Sequence, residues 1–283
     1  MTITDLKRLE TGFDAYVRRF ADAHGCLHPM QQLKVDHTRR VVGDAGLIMQ
    51  SQQWDPSMGL LGSACAWLHD IGRFSQYAEF GTFEDHKSID HAARGCDVAL
   101  AEGLLDGMPP PARETILTAV RLHNRRDLPS DMKASDAPFV HLVRDADKLD
   151  IFRVFEETLR NGGLEKHPEI AWSLDVKGKA APEILDGIVA GQTMPYACVK
   201  SLADFVLIQV GWLRAQFHYD AALALAVERR TLEFYEGFVR TLDDSPAVRR
   251  SFAVTRSAIA ERLASGLSAT SAGRSQICAR IAT

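Results

Sequence analysis

The chain has 283 residues, 46% hydrophobic and 25% charged, enough to bury the core of one large domain or of a domain with an extension. With 33 basic against 37 acidic residues the net charge is −4, which removes the electrostatic motive for nucleic-acid binding. No stretch approaches the ~18 consecutive apolar residues of a membrane span, and no signal-peptide core opens the sequence. Five cysteines (Cys26, Cys65, Cys96, Cys198, Cys278) without close-pair spacing read as reduced thiols of a cytoplasmic protein.

In chain order, Leu6, Leu9, Phe13, Val17 and Phe20 predict an amphipathic packing helix over residues 4–24. Gly25 and Pro29 break it. The next helix carries Met30, Leu33, Val41, Ala45 and Ile48 on one stripe, and His37 falls within that stripe, with Asp36 and Arg40 placed to orient or extend a site. A histidine there is either a satisfied core residue or a ligand. Leu60, Leu61, Ala64 and Leu68 mark a third helix, with His69-Asp70 in its last turn and Gly72 as its expected stop.

Residues Phe74 to Asp85 read as an aromatic loop (Phe74, Tyr77, Phe80, Phe83) that either walls a pocket or plugs the core edge. Ser88 is the expected N-cap of the helix carrying His91, and Gly95 would admit a close backbone approach beside that histidine. His86, in the loop, has nothing to fix its direction. Pro109-Pro110-Pro111 starts another helix, on which Ile116, Ala119 (or Val120) and His123 share a face. Val140, Val143, Ile151, Val154 and Thr158 form the next apolar stripe, with Asp147 in its middle. A carboxylate in such a stripe needs a cation or several hydrogen bonds.

Residues 161–200 form a Gly- and Pro-punctuated connector. Two long helices are expected over 201–219 and 221–243, with Phe205, Val206, Trp212, Leu213 and Phe217 as an apolar face and His218 as packing or surface. A last helix runs to about Leu263, before a Ser/Ala/Gly-rich end predicted to be poorly ordered. With no strand alternation of useful length, the fold class is all-α. The expected organisation is a helical domain over residues 1–160, a helical extension over 161–265 packed on it, and a tail over 266–283.

His37, His69-Asp70, His91, His123 and Asp147 lie on five successive helical elements, and one shared site explains them better than five separate packing accidents. Four imidazoles and two carboxylates exceed a closed four-ligand structural zinc. They suit two adjacent divalent metals bridged by Asp70, and mixed N/O ligation favours Mn, Fe, Co, Ni or Zn.

The order H…HD…H…H…D, with the segment His69-Asp70-Ile71-Gly72-Arg73, resembles the HD-domain superfamily of metal-dependent phosphohydrolases and its HDIG-type subgroup. The resemblance covers roughly residues 25–160 and includes Arg144-Asp145-Ala146-Asp147-Lys148-Leu149-Asp150, similar to the family's terminal aspartate motif. It implies a helical bundle in which His37, His69, Asp70 and Asp147 hold a first metal, and Asp70, His91 and His123 a second. The doubled histidine and Gly-Tyr-Pro motif of cyclic-di-GMP phosphodiesterases are missing, because Asn124-Arg125-Arg126-Asp127-Leu128-Pro129 follows His123. The regions that mark large dNTP triphosphohydrolases and guanosine-tetraphosphate hydrolases are missing too.

The expected function is hydrolysis of a phosphomonoester or phosphodiester, in a nucleotide or similar small metabolite. Asp70 would act at the metals, and Arg73, Lys148, Arg125 and Arg126 would supply cations around the phosphate, Arg73 and Lys148 within the catalytic centre. The alternative is the di-iron oxygenase that the same ligand set implies, as in inositol oxygenase, acting on a small polyol or phosphonate. A signalling module with a degenerate site is disfavoured because no ligand is missing. The expected partner is the small phosphorylated substrate, with homo-oligomers possible and neither membrane nor nucleic acid involved.

Overall fold

The computed structural model describes residues 1–162 and 174–269. Among the described residues every regular element is helical, apart from one isolated bridge between Asp175 and Ser201. None of these helices is long and apolar enough to cross a membrane. The chain divides into two compact units, Met1–Asp150 and a second beginning at Ile151, so the division falls inside a helix.

The first unit opens with α1, Ile3–Arg18, started by a reciprocal capping box between Thr2 and Asp5. It buries Leu6, Leu9, Phe13, Tyr16 and Val17 along one face. The helix stops short of the predicted residue 24. Asp22 Oδ1 accepts from the backbone N–H groups of His24 and Cys26, and this local turn competes with helix before Gly25. Helix α2 spans Pro29–Ser51 and α3 spans Pro56–Leu68, capped by Asp55. The short α3 packs on α1, α2 and α6 (Pro110–Leu122). Its small residues allow this: a Cβ added at Gly62 would lie within 3.0 Å of Met49, Leu142 and Trp54.

Two boundaries differ from expectation around the His-Asp pair. Gly72 does not stop α3; it begins α4, Gly72–Phe80, and its φ is not left-handed. The segment expected as an aromatic loop is therefore half helix: Phe74 and Gln76 are both buried, and left-handed Gly81 supplies the stop. Gly72 is required for proximity instead. A Cβ there would lie 2.2 Å from the His91 carbonyl oxygen and 2.6 Å from the Gly95 nitrogen. Helices α4 and α5 (His91–Ala101) thus meet backbone to backbone, with Gly95 on the facing side. The N-cap of α5 is Asp90, not Ser88: its carboxylate accepts from the N–H groups of Ala92 and Ala93, so His91 is the first helical residue. The hydroxyl of Ser88 is committed elsewhere, donating to the Glu84 carbonyl and accepting from Gln76.

Helix α7, Ala137–Arg160, brings Phe139, Val140 and Val143 to the core of the first unit. Beyond Asp150 it belongs to the second unit, followed by α8 (Pro182–Ala190), α9 (Leu202–Ala215), α10 (Asp220–Glu228), α11 (Thr231–Leu242) and α12 (Pro246–Ala269). The span expected as one helix over 221–243 is broken at Arg229–Arg230, where Arg230 is left-handed at φ 58°. The last helix passes Leu263 to reach Ala269. The connector's Gly163 and Pro168, and the tail beyond Ala269, lie outside the described residues. Buried Tyr235 centres this unit, its ring against Phe152 and Phe155 and its hydroxyl donating to Gln209 Oε1 at 2.5 Å. Asp204 ties the start of α9 by accepting from the backbone N–H groups of Ala181, Lys200 and Ser201.

Candidate metal centre

Asp70 sits in the turn between α3 and α4, 3% exposed, and its two carboxylate oxygens face opposite ways. Oδ2 lies 3.4 Å from His37 Nε2 and 3.8 Å from His69 Nε2. Oδ1 lies 3.4 Å from His91 Nε2 and 3.6 Å from His123 Nε2. The ligand atoms of His37, His69 and Asp70 lie within 4.8 Å of one another, as do those of Asp70, His91 and His123. One carboxylate therefore stands between two histidine pairs.

Each pair is built the same way. His69 and His123 both follow the last residue of a helix, and both turn Nδ1 back to the carbonyl three residues earlier. Those bonds are 2.7 Å, to Ala66 and to Val120. The other member of each pair gives Nδ1 to a carboxylate: His37 to Asp150 at 2.7 Å, His91 to Asp85 at 2.6 Å. Each of those carboxylates is held by an arginine. Arg40 grips Asp150 with Nε at 2.6 Å and Nη2 at 3.0 Å, and Arg73 Nη1 reaches Asp85 at 2.9 Å. With Nδ1 bonded outward on all four rings, each ring turns its Nε2 inward, where it offers a lone pair whenever the ring is neutral.

This donor set fits a divalent cation. The Nε2 atoms of His91 and His123 are 3.1 Å apart, and those of His37 and His69 are 3.2 Å apart. Two lone pairs facing at that distance repel unless a proton or metal lies between them. Burial pushes the pKa of His69 and of His91 down to about 4, so both stay neutral and ligand-competent near pH 7. His37 goes the other way. Burial and Lys34 disfavour its proton, but Asp147, Asp150 and Asp70 prevail and hold its pKa up at about 10. That corner of the site calls for positive charge. Asp85 is held down at about 2: burial opposes ionisation, and the His91 hydrogen bond and Arg73 overcome it.

All six predicted ligands come together. Asp147 Oδ1 is 3.1 Å from His37 Nε2 and 3.8 Å from His69 Nε2. Its side chain keeps 16% exposure, whereas Asp145 and Asp150 on the same helix are fully buried. Asp147 is thus mostly and not fully buried, and Val154 in the same stripe is half-buried.

The predicted cations are distributed unevenly. Arg73 adjoins the centre, with Nε 3.4 Å from Asp70 Oδ1, while Nη1 donates to Gln76, the Phe83 carbonyl and Asp85. It fixes the loop after α4. Lys148 is buried and donates to the Arg144 carbonyl at 3.2 Å; burial and the neighbouring Arg144 push its pKa down to about 8. Arg125 pairs with Asp90 at 2.8 Å, and Arg126 pairs with Asp127 on the surface. His86 is 74% exposed and faces Glu84.

Sequence reasoning missed Lys34, Asp85, Gln76, Arg144 and Asp150 in their roles here. Lys34 donates to Asp70 Oδ2 at 2.8 Å. Its position three residues before His37 was the available signal, as was that of Asp150 three residues after Asp147. Buried Gln76 ties the loop by donating to Asp85, Ser88 and the Ile89 carbonyl. Buried Arg144 donates to the carbonyls of Leu122, His123, Arg125 and Arg126, satisfying the end of α6 where His123 stands.

An all-helical unit that gathers four imidazoles and two carboxylates, with one carboxylate between two histidine pairs, defines a metal-binding helical domain. Residues 35–151 match the model of the HD domain family, which places an HD domain in this part of the chain. No curated protein and no solved structure matches the chain. The HD domain and the His/Asp clusters together indicate a metal-dependent hydrolase.

Proposed function

We propose that the protein is a binuclear metal-dependent phosphohydrolase, cleaving a phosphomonoester or phosphodiester bond of a nucleotide or similar small metabolite. The observation that carries this reading is Asp70 presenting one oxygen to each of two similarly built histidine pairs. His37, His69, Asp70 and Asp147 would hold one cation, and Asp70, His91 and His123 the other. Cations so held supply Lewis acidity toward phosphate oxygens and lower the pKa of a bound water toward neutral.

The chain's own residues keep that centre in place. Asp150 with Arg40, and Asp85 with Arg73, fix the ring planes of His37 and His91, so neither has to reorganise when substrate arrives. Lys34 and Arg73 flank Asp70 and give the site the positive edge that an anionic substrate requires. Half-buried Tyr77 and Phe83, with ring centroids 4.9 Å apart, lie beside those cations and support a substrate that carries a flat organic group. The Ile71 and Gly72 of an HDIG-type segment both have structural reasons here, Ile71 by full burial and Gly72 by the helix contact. The free thiols Cys26, Cys65, Cys96 and Cys198 support a reducing, cytoplasmic setting.

The test is a panel of nucleotides and sugar phosphates with Mn, Co, Ni or Fe, run with and without air. Phosphate or phosphomonoester release that does not depend on oxygen is expected. Substrate-dependent oxygen uptake by iron-loaded protein, with no phosphate released under any metal, would replace this reading with the di-iron oxygenase.

A further inference from the structure

The cations around Asp70 differ in how firmly they are held. Arg73 places Nε 3.4 Å from Oδ1 while its Nη1 is engaged by Gln76, Phe83 and Asp85. Arg40 is locked on Asp150 through two bonds. Lys148 is 7% exposed and bonded within its own helix, and Arg125 faces Asp90. Lys34 is the exception. Its side chain is 18% exposed, its ammonium lies 5.5 Å from the Phe83 ring centroid, and its hydrogen bond is to the Asp70 oxygen that faces His37 and His69. An ammonium has three donors and a flexible four-carbon stem, so this group can change partner without moving backbone.

Its position also conflicts with metal binding. At 2.8 Å from Oδ2, the Lys34 ammonium takes up the same carboxylate oxygen that a cation between His37 and His69 would need. Two positive charges cannot share that oxygen at such range without strong repulsion. Lys34, on its flexible stem, is the side chain able to yield, and its ammonium already stands over the Phe83 ring.

We propose that Lys34 is a substrate-binding residue that works by exchange: it neutralises Asp70 while the His37–His69 position lacks a cation, and it turns to an anionic oxygen of the substrate once Asp70 is committed to metal. The assignment rests on the phosphohydrolase reading for the nature of that anion. It also gives metal binding and substrate binding an order, because the lysine becomes available to the anion only after Asp70 is occupied.

The experiment compares wild type, Lys34→Met and Lys34→Arg. Calorimetry measures Mn(II) binding, then inorganic phosphate binding to the Mn-loaded protein. Lys34→Met should keep the wild-type metal stoichiometry and bind Mn(II) at least as tightly, since a competing charge is gone. Its phosphate affinity should fall at least about tenfold, the worth of one charge-assisted hydrogen bond, and Lys34→Arg should recover part of that loss. Unchanged phosphate affinity in Lys34→Met, or lost metal binding in it, would overturn the exchange role and leave the phosphohydrolase reading standing. Phosphate that fails to bind loaded wild type, together with no phosphate release from the substrate panel, would overturn both.

Discussion

Replacing Gly72 by alanine is expected to destabilise the first unit and to damage the His91 side of the centre. On helix propensity alone the change should stabilise α4, because alanine is favoured over glycine by about 1 kcal/mol in a helix. The packing reverses that sign. The new methyl would lie 2.2 Å from the His91 oxygen, 2.6 Å from the Gly95 nitrogen and 3.1 Å from the Arg94 carbonyl carbon, all of them backbone atoms with no rotamer to yield. Restoring ordinary contact requires α4 and α5 to separate by about 1 Å, at the upper end of overpacking costs, about 3 kcal/mol. For a domain of this size that corresponds to a fall of about 6–12 °C in melting temperature. Because His91 is itself displaced, its Nε2 leaves Asp70 Oδ1, now 3.4 Å away. Gly95→Ala is the control: its methyl meets Val120 Cγ1 at 3.1 Å and Gly72 N at 3.5 Å, so about 1 kcal/mol is expected. Thermal melts of the three proteins, metal-free and metal-loaded, decide the matter. A Gly72→Ala protein that melts within about 1 °C of wild type, or costs no more than Gly95→Ala, would refute the close-contact argument.

Two further substitutions separate the supports of the centre from the ligands. Asp150→Asn leaves Arg40 without its paired charge and His37 without an anionic partner. Affinity for one metal should fall about 10- to 100-fold, the usual effect of removing an outer-shell carboxylate, while the other metal is retained; titration calorimetry reads both. Arg144→Met would leave the carbonyls after α6 short of donors and should cost about 2–4 kcal/mol in urea unfolding, since a buried arginine that donates to several carbonyls is lost. A neutral Arg144→Met would mean that water serves the α6 terminus as well as the guanidinium does.

The helical stripes and the placing of histidines and aspartates within them are legible in the sequence because both follow from helical period. His37 sits in phase with Val41, and His69 and His123 each end an apolar run. What escaped was set by contacts between distant segments. Gly72 looked like a helix stop because a glycine after an apolar run commonly is one; only the approach of α5 shows that it serves proximity. Asp85 and Gln76 gain their roles from the path of the loop between α4 and α5, which no periodicity encodes. Ser88 and Asp90 are both competent caps, and the choice fell to Asp90 because Gln76 and Glu84 engage Ser88. In the sequence, Arg73, Lys148, Arg125 and Arg126 stand out as cations only by adjacency to the histidines and aspartates of the centre. Adjacency did not reveal that Arg73 is tied to Asp85, or that Lys34 stands on Asp70 itself.

The number of metals bound tests the central claim most directly, because the whole account rests on Asp70 standing between two complete sites. Protein purified without added metal, then saturated with Mn(II) and freed of excess, should hold about two equivalents by elemental analysis in the wild type. His91→Ala and His123→Ala should each hold about one, with the His37–His69 site intact. One equivalent in all three proteins would contradict the account, and would make His91 and His123 packing groups around a mononuclear centre.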